Sequence, residues 1–248
     1  LAGGDMGKGR LAAPATVVSA VADILDPSGL DLSGLRVLVT AGGTREQLDP
    51  VRFIGNRSTG KQGYAFAEVA ARAGAQVELI TTVELPTPAG VEVVRLTTAA
   101  EMHRAAVAGA ERADIVVMAA AVADFRPVDP SDIKIKKSGG VPTIELERTV
   151  DILADLGSRK RAGQQLVGFA AETNDLIANA ERKLTSKGAD FIVANDVSAP
   201  GAGFGHDTNI VTIVAHGGVR DSLSLTTKLG VARAVLRTVA AARTPNET

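Results

Sequence analysis

The stretch from Arg36 to Thr82 limits the folds open to this chain. An apolar run, Arg36-Val37-Leu38-Val39-Thr40, meets a glycine pair at Gly42 and Gly43, and a long polar loop follows from Thr44 to Gly63. An alanine-rich amphipathic run, Tyr64 to Ala73, stops at Gly74, and a second apolar run covers Val77 to Thr81. Strand, glycine loop, helix, strand is a βαβ unit, which lays two parallel strands side by side under one helix. The same alternation continues: strands at Val91–Leu96, Ile115–Ala121, Leu166–Ala170 and Phe191–Ala194, helices at Thr98–Ala110, Asp151–Arg161 and Asn174–Lys187. Thr98 and Glu101 have capping-box spacing. Thr143–Leu146 reads as a further short strand, and Ile210–Ala215 and Ser222–Leu225 flank His216-Gly217-Gly218 as a hairpin before a last helix, Leu229–Ala241. The predicted architecture is a Rossmann-like α/β fold, a doubly wound, mostly parallel sheet with a C-terminal antiparallel hairpin.

Composition agrees with that sheet. Hydrophobic residues make up 45% of the 248 residues but aromatics only 3%, so the core is built from Val, Ile, Leu and Ala, as strands covered on both faces require. The net charge of −1 gives no drive toward nucleic acid, and no apolar run approaches the ~20 residues of a membrane span. The absence of cysteine excludes disulfides, thiolate metal sites and a cysteine nucleophile, and fits a reducing cytoplasm. Leu1–Pro14 reads as linker, Thr16–Leu25 as one amphipathic helix, and residues 1–34 as a connecting segment ahead of a domain spanning 35–248.

Ligands of such sheets sit beyond the carboxyl ends of the strands. Gly42-Gly43, Ala120–Asp124, Gly168–Glu172 and Asn195-Asp196 all fall there. Gly55–Lys61 matches G-x-x-x-x-G-K, but Gln62 stands where a P-loop has Ser or Thr, and the motif does not directly follow a strand. The dinucleotide fingerprint G-x-G-x-x-G is missing as well. Asp124 suits Mg²⁺ beside phosphates and equally a turn or helix cap. Lys134 and Lys136 would share one face of an extended segment, with Lys137 on the other; a solvated surface and a phosphate site compete there. Lys183 and Lys187, four apart, share a helix face; they suit a polyanion, while Lys187 before Gly188 also complements the helix dipole. His103, His206 and His216 lack metal-ligand spacing.

Taken together and in order, Thr40-Ala41-Gly42-Gly43-Thr44-Arg45-Glu46, Asp49-Pro50-Val51-Arg52, Asn56-Arg57-Ser58-Thr59-Gly60-Lys61, Ala119–Phe125, Lys134-Ile135-Lys136-Lys137, Gly168–Thr173 and Asn195-Asp196-Val197 resemble the bacterial phosphopantothenoylcysteine synthetases. The resemblance runs from about Leu35 to about Ala240. It implies a ligase in coenzyme A biosynthesis: CTP activates 4′-phosphopantothenate as an acyl-cytidylate, with Mg²⁺ and lysines neutralising charge, and L-cysteine then displaces CMP. Carried over by position, Asn56 holds the intermediate, Lys134 serves its formation, and Ala120 lies where it is converted. Asp124 is the nucleotide and metal carboxylate, Phe169 reads the cytosine, and Lys183 and Lys187 grip the triphosphate. Gly42, Gly43, Ser58 and Gly60 supply loop donors to phosphates. Arg52 and Arg57 meet the pantothenate phosphate or cover the site. The resemblance further implies a homodimer with later strands exchanged, for which Ile210–Leu225 is the candidate arm and a plain intrachain edge the alternative. It also implies a fused decarboxylase half carrying FMN. Two rivals share the fold: an NAD(P)-dependent reductase, which Tyr64 as the single tyrosine disfavours, and a noncatalytic nucleotide-binding module.

Overall fold

The computed structural model describes residues 17, 21, 29–136, 141, 143–172, 175–196 and 205–243, the side chains of Glu172 and Asp196 excepted. Of the helix expected at Thr16–Leu25 only Val17 and Val21 are described, both helical and exposed; the rest, like Lys137, Thr173 and Val197, lies outside the described residues.

The central sheet takes β1 (Arg36–Ala41), β4 (Gln76–Thr81), β5 (Val91–Arg95), β6 (Ile115–Met118), β9 (Gln165–Glu172), β10 (Phe191–Asp196), β11 (Thr208–Ala215) and β12 (Gly218–Thr227). Their spatial order is β12-β11-β10-β9-β6-β1-β4-β5. From β5 to β10 every pair is parallel; β11 and β12 add antiparallel to β10 within the same chain. The expected mostly parallel sheet with a C-terminal hairpin is present, and the hairpin is paired inside the chain rather than held out as an arm. The strand order reverses between β1 and β6, which opens the crevice where such sheets bind ligands.

Strand side chains alternate between two cores, as the two-residue period demands. Val37, Val39 and Leu79 face α1 (Lys61–Arg72) and α5 (Lys228–Ala242). Leu38, Ile80 and Val116 face α2 (Ala99–Ala110), α3 (Ile152–Arg159) and α4 (Leu176–Lys187). Thr98 and Glu101 form the capping box that the sequence predicts, Asp151 caps α3, and Gly188 stops α4 in the left-handed conformation. Among the described residues no helix is long and apolar enough to cross a membrane.

Four expectations need correction. The Thr44–Gly63 stretch is not a plain loop: β2 (Arg45–Gln47) and β3 (Phe53–Gly55) pair within it, with Arg45 stacked 5.4 Å over the Phe53 ring. The first helix starts at Lys61 rather than Tyr64, because Gly60 takes a positive φ of 76° and turns the chain into it. The short strand after the lysine cluster is β8 (Leu146–Arg148), paired with an unforeseen β7 (Phe125–Pro127), and not Thr143–Leu146. Residues 134–136 form no strand, since Asp49 and Arg52 hold both backbone groups of Ile135.

Candidate active site at the carboxyl edge of the sheet

The ends of β1 and β6 are stitched together. Ala121 N–H donates to the Gly42 carbonyl (2.8 Å), Thr44 N–H to the Ala121 carbonyl (3.2 Å), and Gly43 and Ala121 form a parallel bridge. The buried hydroxyls of Thr40 and Thr44 accept from the Ala120 and Ala123 amides, at 3.1 and 2.9 Å. This is why the ladder of β6 stops at Met118 instead of running to Ala121: the backbone turns to serve threonine side chains. Glycine at 43 is a matter of contact distance, because a Cβ there would lie 2.7 Å from the Asn56 carbonyl oxygen. Asn56 is thereby brought over the seam, where its amide nitrogen donates to the carbonyls of Ala121 (3.2 Å) and Val122 (3.1 Å). Both amide hydrogens are spent on the backbone, so the oxygen is the atom Asn56 offers to a ligand.

Two cavities open on either side of this seam. The wider, 490 Å³, lies on the α3 and α4 side and takes Ala120, Asp124, Phe169, Lys183 and Lys187 into its lining. Five of the residues named from the sequence thus meet in one cavity, from positions spread between 120 and 187. Asp124 is exposed, and Phe169 is half-buried with its ring edge-on to Phe66 at 5.5 Å. Lys187 pairs with Asp151. Burial of Asp151 works against its charge, but its bonds with Lys187 and the Ala154 amide, with the fields of Lys187 and Lys183, win and hold its carboxyl below the usual range. Lys183, Lys187 and Arg148 against Asp124 and Asp151 leave the lining one net positive charge, suited to a polyanion. Asp124, the exposed carboxylate of that lining, fits Mg²⁺, which keeps most of its shell for water and phosphate oxygens. Among the described residues no cluster of three metal-ligating side chains exists. Arg148 also lines this cavity; no motif or spacing marks it in the chain.

The narrower cavity, 130 Å³, lies on the α1 and α5 side and shares Ala120 and Phe169 with the first. Ser58 and Gly60 line it, together with Lys61, Asn195, Asn209 and Lys228. Gly42 and Gly43 stand behind the seam rather than in either lining.

Three predicted residues lie elsewhere. Arg57 and Lys134 are exposed and line neither cavity. Arg52 is taken up by Asp49: its guanidinium donates to both the Asp49 carboxylate and the Ile135 carbonyl (3.0 Å), while Ile135 N–H donates to Asp49 Oδ2 (3.2 Å). The Arg52 hydrogen bond drives the Asp49 carboxyl far below its ordinary range. Together the pair grips the segment that carries Lys134. Tyr64 is buried with its hydroxyl on the Val83 carbonyl (3.1 Å), away from a reductase's catalytic role.

The model of the DNA/pantothenate metabolism flavoprotein C-terminal domain matches residues 32–242. A coenzyme A biosynthesis bifunctional protein CoaBC from Bacillus subtilis (strain 168) is 49% identical over 244 residues, 97% of this chain and 60% of the relative. A protein named cysteine/cysteine sulfinic acid decarboxylase, from an unknown prokaryotic organism, is 45% identical over 96% of this chain and 68% of its own length. The crystal structure of the C-terminal domain of a CoaBC protein superposes with a TM-score of 0.72 at 43% identity, covering 85% of this chain and 96% of that one. The chain therefore spans about 60% of the bifunctional relative's length.

Proposed function

The chain belongs to the family of DNA/pantothenate metabolism flavoprotein C-terminal domains, and from that premise we propose that it is a CTP-dependent phosphopantothenate–cysteine ligase. The observation that carries this reading is the meeting of Ala120, Asp124, Phe169, Lys183 and Lys187 in one cavity beside Asn56. A carboxylate oxygen of 4′-phosphopantothenate attacks the α-phosphorus of CTP, the bond to pyrophosphate breaks, and a mixed anhydride forms. The amine of L-cysteine then attacks the acyl carbon; CMP leaves, a proton is lost and the amide remains. No protein nucleophile is needed, so the difficulty is bringing a carboxylate against a triphosphate.

In this reading Lys183 and Lys187 hold the triphosphate, and Phe169 stacks or edges against the cytosine. Asp124 would hold Mg²⁺, which when bound would supply positive charge against that building on the phosphates. Gly42, Gly43, Ser58 and Gly60 shape the phosphate-facing loops. The free oxygen of Asn56 accepts from the attacking amine, and Ala120, at the wall common to both cavities, leaves room for the acyl group. Lys134 stabilises the α-phosphate; because it lines neither cavity of its own chain, we assign the active form to a homodimer in which this segment serves a partner's site. Phe125, Val128 and Leu146, exposed on and beside the β7–β8 ribbon, give that dimer an apolar surface. Arg52 acts on this segment through Asp49, and Arg57 covers the entrance. We place the reaction in the cytoplasm, with the FMN-dependent decarboxylase as the fused partner domain.

The test is pyrophosphate release with Mg²⁺, CTP and 4′-phosphopantothenate, with and without L-cysteine, and with ATP in place of CTP in a parallel set. Release that requires phosphopantothenate and prefers CTP supports the ligase. Carbon dioxide released from cysteine without nucleotide would favour the activity for which the second relative is named. CTP binding without release would leave a binding module.

A further inference from the structure

Arg45 and Glu46 stand out in the sequence beside the glycine pair, yet the ligase reading gives Glu46 no part. Glu46 lies in the middle of β2 and is the one buried residue of the β2–β3 ribbon, 4% exposed. Arg45, Gln47, Phe53 and Gly55 are exposed and Ile54 is half-buried. A two-stranded ribbon with three residues to a strand cannot hold itself in water. Its place depends on what it is fastened to, and the side chain it buries is a carboxylate.

Burying a carboxylate costs free energy unless donors meet it. Here the donor is the amide of Ala99, the first residue of α2, which gives its hydrogen to Glu46 Oε1 at 2.8 Å. The capping box of α2 does not serve this amide: the Thr98 hydroxyl accepts from Glu101 N–H, and the Glu101 carboxylate from the Thr97 and Thr98 amides. Glu46 thus caps α2 from another element, at the positive end of the helix dipole. One residue earlier, Arg45 N–H donates to the Thr97 carbonyl (2.9 Å). Two bonds of fixed direction therefore fasten β2 to the entry of α2, where an apolar anchor would let it slide.

The ribbon passes that placement on to Asn56. Glu46 stands opposite Ile54 and Arg45 opposite Gly55, and Asn56 follows directly. There is little slack on the way: a Cβ on Gly55 would lie 2.6 Å from the Thr44 carbonyl oxygen, as one on Gly43 would crowd Asn56. Asn56 is itself exposed, so its place over the seam rests on its own two donors and on the ribbon behind it. The Lys134 segment is gripped by Asp49 and Arg52 instead.

We propose that Glu46 is a positioning residue: by accepting the first amide of α2 it fixes the β2–β3 ribbon where Asn56 falls over the Ala121 and Val122 carbonyls. It acts through Asn56 and touches no ligand. That Asn56 serves amide formation rests on the ligase reading; that Glu46 places Asn56 does not.

The first experiment is independent of turnover. The side-chain amide protons of Asn56, assigned by their loss in Asn56→Asp, are followed for exchange with water in the ¹⁵N-labelled chain. Glu46→Leu is expected to speed that exchange about tenfold or more, the size of a lost hydrogen bond to a charged group, and Glu46→Gln, which keeps an acceptor oxygen, to restore it. Unchanged exchange in folded Glu46→Leu overturns the proposal. The second experiment is a double-mutant cycle on the reaction. Glu46→Leu should slow amide formation about tenfold and spare pyrophosphate release, and it should add nothing in the Asn56→Asp background, because a residue that acts by placing another has no effect once that other is gone. Effects that multiply, or a loss shared equally by both steps, would reduce Glu46 to a general support and overturn the assignment. If Glu46→Leu does not fold, as judged by circular dichroism and its melting curve, Glu46→Asp, which retracts the carboxylate by one methylene, takes its place in both experiments. Absence of ligase activity in the wild type would sink the ligase reading and leave the exchange measurement to decide the placement.

Discussion

The two cavities sit on opposite faces of one sheet edge and are built in opposite ways. The wide one takes its charge from groups that reach solvent: Asp124 is exposed and Lys183 and Lys187 are half-buried. The narrow one takes its polar groups from the interior, with Lys228, Asn195 and Asn209 all buried. A solvated cation is screened and free to follow its ligand, whereas a desolvated one is fixed, dearly held and strongly felt by whatever anion reaches it. The difference teaches what each side suits: screened, mobile cations suit a large polyanionic ligand, whereas buried polar groups hold one fixed geometry. The seam between them carries Asn56, held on the Ala121 and Val122 carbonyls.

That contrast breaks first if groups outside both cavities prove dispensable. Lys134→Gln is expected to lower pyrophosphate release by about 10²- to 10³-fold, the usual cost of removing one group that stabilises developing charge. CTP binding by calorimetry should survive. Normal release would remove Lys134 from the reaction. Asn56→Asp tests the seam itself. It should permit pyrophosphate release yet slow amide formation about a hundredfold, because a carboxylate in place of the amide loses the two donors to Ala121 and Val122 and repels the acyl phosphate. Amide formation at the wild-type rate would show that Asn56 only holds the backbone. On the wide side alone, Lys187→Met is expected to raise KM for CTP about tenfold while leaving the phosphopantothenate-to-pantothenate preference intact, as befits one partly screened ion pair with a phosphate. A changed preference would extend the role of Lys187 to the acyl substrate.

The same contrast explains what the sequence revealed. Lys183 and Lys187 announce themselves by spacing, since two cations on one helix face need an explanation. Asp124 is visible because it follows a buried strand, and the parallel sheet because aliphatic runs alternate with amphipathic ones. Lys228 gives no such signal. It is a single lysine at the start of a helix, its burial depends on α1 and β11 closing over it, and those contacts join positions 62, 209 and 228. Arg52 misleads for a related reason. In sequence it is a loop arginine three residues from an aspartate, and only the fold brings Ile135, 83 residues on, into its reach. The β7–β8 ribbon was illegible because three-residue strands carry too little periodicity to stand out.

The Asp49–Arg52 grip on Ile135 gives the smallest effect and the finest test, because it separates holding a segment from touching a ligand. Asp49 is buried, and Arg52, then the backbone amides of Val51, Ile135 and Arg52, keep its carboxyl ionised far below the ordinary range in spite of desolvation. A carboxylate whose folded pKa is depressed stabilises the fold at every pH above its unfolded value of about 3.9, and that stability is lost as pH falls below it. Asp49→Asn removes the linkage. The variant should therefore melt below the wild type at pH 7, and the two melting curves should converge as the pH drops from about 4 toward 2. A gap that stays constant with pH would mean that Asp49 contributes by packing and not by its charge. Catalytically, the loosened segment should lower the rate of pyrophosphate release with KM for CTP unchanged, since Lys134 would be less often in place while the wide cavity is untouched. A loss confined to KM would instead return Arg52 to the ligand, as the sequence alone had suggested.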